Sequence, residues 1–241
     1  MDPDFALLAA EATFQLVLLA LLLYKRLART LPIFVAYNVY GLVFDLIDMA
    51  VMRNAPDARL PQWIAGMTVE TVFFLLVILE LGKNVVRFNR NLPSSRVLAA
   101  AFFAVSTLIL LGIVRWGDPP TNYPFLWRIG LRLNHITTVV QVAAVCTLAA
   151  WSGLLRMRWP DRELHLVTGM GLWTVVSLAV LMIHNNGMYD TYHYRWIDLV
   201  TTVTCVGVLA WWIHCFWLEP TRTDHIQIPG NFGLARQGTE N

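Results

Sequence analysis

The chain has 241 residues, of which 57% are hydrophobic and only 14% charged, with a formal net charge of +2. A soluble domain carries about 25% charged residues, and a mean hydropathy of +0.54 over 27.4 kDa leaves too little polar surface to cover a water-soluble globule. The composition excludes a soluble enzyme, a disordered chain and, with no basic block, a nucleic-acid-binding protein.

A helix needs about 20 mostly apolar residues to cross about 30 Å of hydrocarbon. In chain order the apolar runs predict seven spans, at about 5–24, 31–52, 63–81, 97–116, 126–154, 165–184 and 196–218. The first follows Met1-Asp2-Pro3-Asp4 and precedes the basic cluster Lys25, Arg26 and Arg29. That order reads as an uncleaved first helix rather than a signal peptide, which opens with a basic region. The second span starts at Pro32, and all 11 prolines fall in connections, tails or first turns, where the missing N–H is tolerated. The fifth run is long enough to tilt or to project from the bilayer. Trp63, Trp116, Trp127 and Trp196 mark one headgroup level and Trp159 and Trp217 the other. The fold expected is therefore an all-α integral membrane bundle of seven helices over residues 1–218, followed by a polar, flexible cytoplasmic tail, 219–241. Cys146, Cys205 and Cys215 fall within apolar runs and form no disulfide framework.

Orientation follows from the positive-inside rule. Lys25, Arg26, Arg29, Lys83, Arg87, Arg90, Arg96, Arg156, Arg158, Arg162, Arg222 and Arg236 lie on one side; Arg53, Arg59, Arg115, Arg128, Arg132 and Arg195 lie on the other. The amino terminus is expected outside and the carboxyl terminus in the cytoplasm.

Two large seven-helix families are excluded by residues. A retinal protein needs a lysine in its seventh helix, and the only lysines are Lys25 and Lys83. A G-protein-coupled receptor closes its third helix with an acidic-Arg-aromatic triplet and has prolines in helices six and seven; here Asp161-Arg162-Glu163 opens the sixth span and neither span has a proline. By contrast, Trp159-Pro160-Asp161-Arg162-Glu163-Leu164, Thr168-Gly169-Met170-Gly171, Ser177-Leu178-Ala179-Val180, His184 and Trp196-Ile197-Asp198-Leu199 resemble a pattern in uncharacterised seven-span bacterial integral membrane proteins of the acidobacterial type. Leu31-Pro32-Ile33-Phe34 and the pair Glu70 and Glu80 are similar as well. The resemblance implies the seven-span fold and a bacterial inner membrane, and it carries no site residue with it.

Function must be sought in the polar residues that the spans carry. An ionisable side chain at a span's centre costs about 2.5–3.5 kcal/mol on insertion scales, so it usually faces the bundle interior. Asn38, Gly41, Asp45 and Asp48 share one face of the second span; Arg128, Arg132 and His135 share one face of the fifth; Thr174, Ser177 and His184 lie along the sixth; Asp198, Thr201, Thr202 and Cys205 lie along the seventh. At about 1.5 Å per residue, Glu11, Asp45, Asp48, Glu70, Arg132, His135, His184 and Asp198 fall in the outer half. They are expected to converge on one outward-facing polar cavity with more carboxylates than positive partners, which favours a cation, a proton or an amine-bearing headgroup. A purely structural reading stands beside it: Arg132 paired with Asp45 or Asp48 and the rest at the interface. Glu80 reads as structural, one turn from the cytoplasm and three residues before Lys83, and Asp161 as a helix cap.

The reading favoured is a binding or sensing module that passes any signal to a membrane or cytoplasmic protein partner. Three alternatives draw on the same residues. A b-type haem electron-transfer subunit would use His135 with His184 or His165 with His214; a metal-dependent intramembrane hydrolase would hold a divalent ion with carboxylates and histidines, though no HExxH is present; an ion path would run through the carboxylates. No cofactor is favoured and no catalytic residue is assigned. For topology, Ala58→Cys and Asn122→Cys should label from outside and Asn91→Cys from the cytoplasm; labelling with the sides exchanged would reverse the orientation.

Overall fold

A computed structural model describes residues 3–88, 124–154, 157–185 and 191–218, with backbone alone at 3–4, 56, 154, 184–185 and 191–198. The expected fourth span, 97–116, and the expected tail, 219–241, lie outside the described residues. Every regular element among the described residues is helical: α1 (Pro3–Tyr24), α2 (Pro32–Asn54), α3 (Arg59–Phe88), α4 (Phe125–Leu154), α5 (Asp161–Asn185) and α6 (Thr191–Leu218). They correspond to spans one, two, three, five, six and seven. All six are long and apolar enough to cross a bilayer, so the chain is a multi-pass membrane protein. Their outward faces carry exposed aliphatics at helical spacing, such as Val69, Val72 and Leu76 on α3, as a lipid-facing surface requires.

Helix ends follow local chemistry. α1 stops where Arg26 takes a left-handed conformation (φ 55°), with the Lys25 N–H returned to the Leu21 carbonyl at 2.9 Å. A 3-10 turn, Leu27–Arg29, then leads to Pro32 in the first turn of α2, and α2 ends at Asn54, two residues before Pro56. α3 overruns its apolar run at both ends, with Pro61 in its first turn, where the missing N–H is tolerated, and Gly82–Phe88 continuing the helix past the apolar window. α5 begins at Asp161 itself, so Asp161 and Glu163 sit in its first turn against the helix dipole; the expected cap at Asp161 is displaced by one residue, with the Pro160 carbonyl accepting the first helical bond from Leu164.

The α2 amino terminus is capped from another helix. Leu31, at its N-cap, has no side chain able to do this. The Glu80 carboxylate on α3 accepts both orphan N–H groups, from Ile33 to Oε1 and from Phe34 to Oε2, each at 3.0 Å. Glu80 is thus structural, as its position suggested, but its work is the helix terminus.

The helices close into a ring in chain order, each on the next, with α6 returning to α1. Among the described helices one contact crosses the ring, between α3 and α5. Neighbours are antiparallel with two exceptions: α1 and α6, whose carboxyl ends meet where Lys25 bonds the Trp217 carbonyl, and α3 and α4. Gly130 near the start of α4 lies against Trp63 and Ile64 near the start of α3, and farther along Gln141 donates to Thr71 Oγ1 at 3.4 Å, so α3 and α4 run parallel. On one side of the bundle, Lys25 Nζ donates to the Trp217 carbonyl at 3.1 Å and Arg162 Nη1 to Thr30 Oγ1 at 3.4 Å. We refer to this as the Lys25 side and to its opposite as the Arg59 side. Close approach needs small residues at two points. A Cβ on Gly66 would overlap the Phe44 ring, and one on Gly169 would meet the Trp212 indole at 2.5 Å.

Glu80→Ala should lower stability by about 2 kcal/mol or more, since it removes two hydrogen bonds to a charged group and leaves a buried helix end unsatisfied. Glu80→Gln, which keeps one acceptor, should cost about half as much. Reversible unfolding in mixed micelles measures both, and an Ala variant within about 0.5 kcal/mol of wild type would show that the cap contributes little.

Candidate functional site

The contact between α3 and α5 divides the ring. On one side α3, α4 and α5 pack as a triangle; on the other α1, α2, α3, α5 and α6 surround a cavity of about 250 Å³. Each of these five helices contributes lining and α4 contributes none. Glu11 and Gln15 come from α1, one turn apart. Tyr37, Asn38, Gly41, Phe44 and Asp45 form a stripe on α2, joined by Tyr40. Glu70 and Phe74 come from α3, Met170 and Trp173 from α5, and Thr201, Thr202, Cys205, Val208, Leu209 and Trp212 from α6.

Three carboxyl groups face this space from similar depth. At about 1.5 Å per residue, Glu11 lies about 12 Å from the start of α1, Asp45 about 14 Å from the end of α2 and Glu70 about 17 Å from the start of α3, all measured from the Arg59 side. They interact electrostatically with one another, and no Lys, Arg or His lines the cavity among the described residues. Glu11 Oε1 accepts the Cys205 thiol at 2.9 Å, and Glu70 accepts the Tyr37 hydroxyl. Two acceptors of the lining have no hydrogen-bond partner among the described residues: Asp45 Oδ2 and Gln15 Oε1, each on a side chain that is only 8% exposed. Gly41 makes room for that amide, since a Cβ there would sit 3.1 Å from Gln15 Oε1. Asn38, in contrast, spends its amide on the Phe34 carbonyl at 2.8 Å.

Toward the Lys25 side the cavity ends against aromatic packing. Phe34 meets Trp212 edge-on at 5.3 Å and Phe216 at 6.5 Å, and the Trp212 indole N–H is held by the His165 carbonyl at 3.1 Å. Below these, Leu18, Leu22, Leu31, Phe74, Ile78 and Leu81 are fully or almost fully buried in one apolar cluster. Toward the Arg59 side, Asp48 is one turn beyond Asp45 and its Oδ1 lies 3.8 Å from Arg59 Nε, which is half exposed.

The expected residues therefore divide. Glu11, Asp45 and Glu70 line one cavity. Asp48 is outside the lining, in an ion pair with Arg59. Arg132 and His135 are on α4, which packs behind the α3–α5 contact, and they do not reach the cavity. The polar face of α4 is used for helix packing: Thr137, Thr138 and Gln141 are buried and Gln141 bonds Thr71. The side chains of His184 and Asp198 are outside the described residues. His165 packs edge-on to Trp211 at 5.6 Å and His214 is exposed; neither lines the cavity. Among the described residues no three His, Cys, Asp or Glu side chains converge closely enough to hold a metal ion.

Gln15, Tyr37 and Tyr40 were not singled out from sequence. Helical spacing held the signal for two of them: Gln15 is four residues from Glu11, and Tyr37, Gly41 and Asp45 follow at intervals of four. Comparison with protein-family models, with characterised proteins and with solved structures gives no match.

Asp48 and Arg59 provide a control for the interior groups. Their ion pair is long and its arginine is half exposed, so Asp48→Asn should change stability by less than about 1 kcal/mol. A loss above about 1.5 kcal/mol in denaturant unfolding would place Asp48 in the structural core of the site.

Proposed function

We propose that the protein is a seven-span binding module of a bacterial inner membrane, amino terminus outside, that holds a cationic ligand in the acidic cavity and presents the occupied state to a protein partner. The observation that carries this reading is the charge imbalance. Three carboxyl groups share a small, low-dielectric space with no basic side chain in its described wall. Their mutual repulsion is relieved by a positively charged occupant.

The seventh span is supported by the parallel course of α3 and α4. Phe88 ends α3 on the Lys25 side and Phe125 begins α4 on the Arg59 side, so the chain between them changes sides, and the apolar run 97–116 has the length to do so. Orientation is supported by Lys25, Arg26, Arg29, Lys83, Arg87, Arg158 and Arg162, gathered at the Lys25 side. The resemblance of the sixth and seventh spans to bacterial proteins supports the choice of membrane. Binding is favoured over conduction because the cavity is backed by the Phe34–Trp212–Phe216 packing and the apolar cluster beneath it.

The test is thermal unfolding of the protein in lipid nanodiscs at fixed ionic strength. Small organic ammonium salts should raise the melting temperature and neutral compounds of the same shape should not. At 100 times its Kd a ligand adds about 2.7 kcal/mol of stability. Asp45→Asn with Glu70→Gln should fold and lose the response. Equal effects of charged and neutral compounds, or a response unchanged in the double variant, would overturn the proposal.

A further inference from the structure

Hydrogen-bond accounting in the cavity narrows the ligand, an inference that rests on the cation-binding reading. The wall holds acceptors without donors among the described residues. Asp45 Oδ2 and Gln15 Oε1 are buried without donors among the described residues, and Glu11 and Glu70 each accept one hydrogen bond, with lone pairs to spare. Gln15 is the independent pointer. It is uncharged and only 8% exposed, it lines the cavity beside the acids, and Gly41 opens the space that its amide occupies. A glutamine needs no counter-charge, so its unpartnered oxygen asks for an N–H or O–H donor, and a positive charge alone does not serve it.

The rest of the wall is apolar and aromatic: Phe44, Phe74, Met170 and Trp173, with Tyr40. The Phe74 and Trp173 rings lie 6.4 Å apart at a tilt of 40°, and Tyr40 stacks on Phe44 and Phe73 at 6.0 and 5.2 Å, so aromatic rings cluster along this part of the wall. A cavity of about 250 Å³ has room for about eight waters at a liquid share of ~30 Å³ each, hence for a molecule of about that many to a dozen heavy atoms. The carboxyl groups are spread more widely than the ligands of a bare metal ion, which suits an occupant that spans them.

We propose that the cavity binds a small primary ammonium compound bearing an apolar or aromatic group. Its three N–H bonds meet Asp45 Oδ2, Gln15 Oε1 and a carboxylate of Glu11 or Glu70, and its apolar body lies among Phe44, Phe74 and Trp173. A quaternary ammonium carries the same charge and interacts with the same ring faces, but has no N–H and leaves both buried acceptors unserved.

Isothermal titration of nanodisc protein with 2-phenylethylammonium and with its N,N,N-trimethyl analogue separates the possibilities. Wild type should bind the primary compound at least tenfold more tightly. Gln15→Leu keeps the approximate volume and the acidity of the cavity, and the ratio between the two affinities should fall severalfold. Equal or tighter binding of the trimethyl compound by wild type would overturn the donor assignment and leave the cation-binding reading standing. A ratio unchanged by Gln15→Leu would also overturn it. Binding of neither compound would overturn both.

Discussion

A carboxylate at mid-membrane costs about 2.5–3.5 kcal/mol even on insertion scales, and this bundle arranges three around one space. Much of the architecture follows from that constraint. Five helices must surround the acids to keep them from lipid, and each contributes polar or aromatic lining. Two acids are partly served within the protein, Glu11 by the Cys205 thiol and Glu70 by the Tyr37 hydroxyl. Asp45 keeps an oxygen without a donor among the described residues. Leucine at these positions would avoid that cost, and the acids are what the proposed cation site requires.

The cross-ring contact of α3 with α5 places the buried polar residues in two different surroundings. On the α4 side, Gln141 and Thr71 bond each other between helices and two threonines are buried nearby, the pattern of polar residues that hold membrane helices together. On the other side Asp45 Oδ2 and Gln15 Oε1 lack donors among the described residues. Glu80 shows a third use of a carboxylate, since both of its oxygens are occupied by backbone N–H groups at the start of α2. Three acids at the cavity and one at a helix terminus thus differ in what remains for a ligand to meet.

The fold was largely legible because a hydrocarbon solvent imposes a coarse rule of length and apolarity, and six of the expected spans coincide with helices among the described residues. The cavity was only partly legible. Depth along a span follows from residue count, which is why Glu11, Asp45 and Glu70 could be grouped before any contact was known. Neighbour relations around the bundle do not follow from counting. Arg132 and His135 have the same outward tilt in depth as the acids, yet α4 is excluded by the α3–α5 contact, a tertiary packing outcome involving Phe74 and Trp173 that no helical periodicity reports. Glu80 was read from its neighbour Lys83, whereas its partners are 46 and 47 residues away in the chain.

With the Lys25 side closed by the Phe34–Trp212–Phe216 packing, a cavity that takes up a cation should select positive charge and be reached from the Arg59 side. Cys205 lines it and reports on it directly. In a Cys146→Ser, Cys215→Ser background in sealed, oriented vesicles, the rates at which trimethylammonium-ethyl and sulfonato-ethyl methanethiosulfonate modify Cys205 can be compared from each side. The account expects the cationic reagent to react at least tenfold faster than the anionic one, from the Arg59 side alone, with the preference lost in Glu11→Gln with Asp45→Asn. Equal rates for the two reagents, or modification from the Lys25 side, would contradict it.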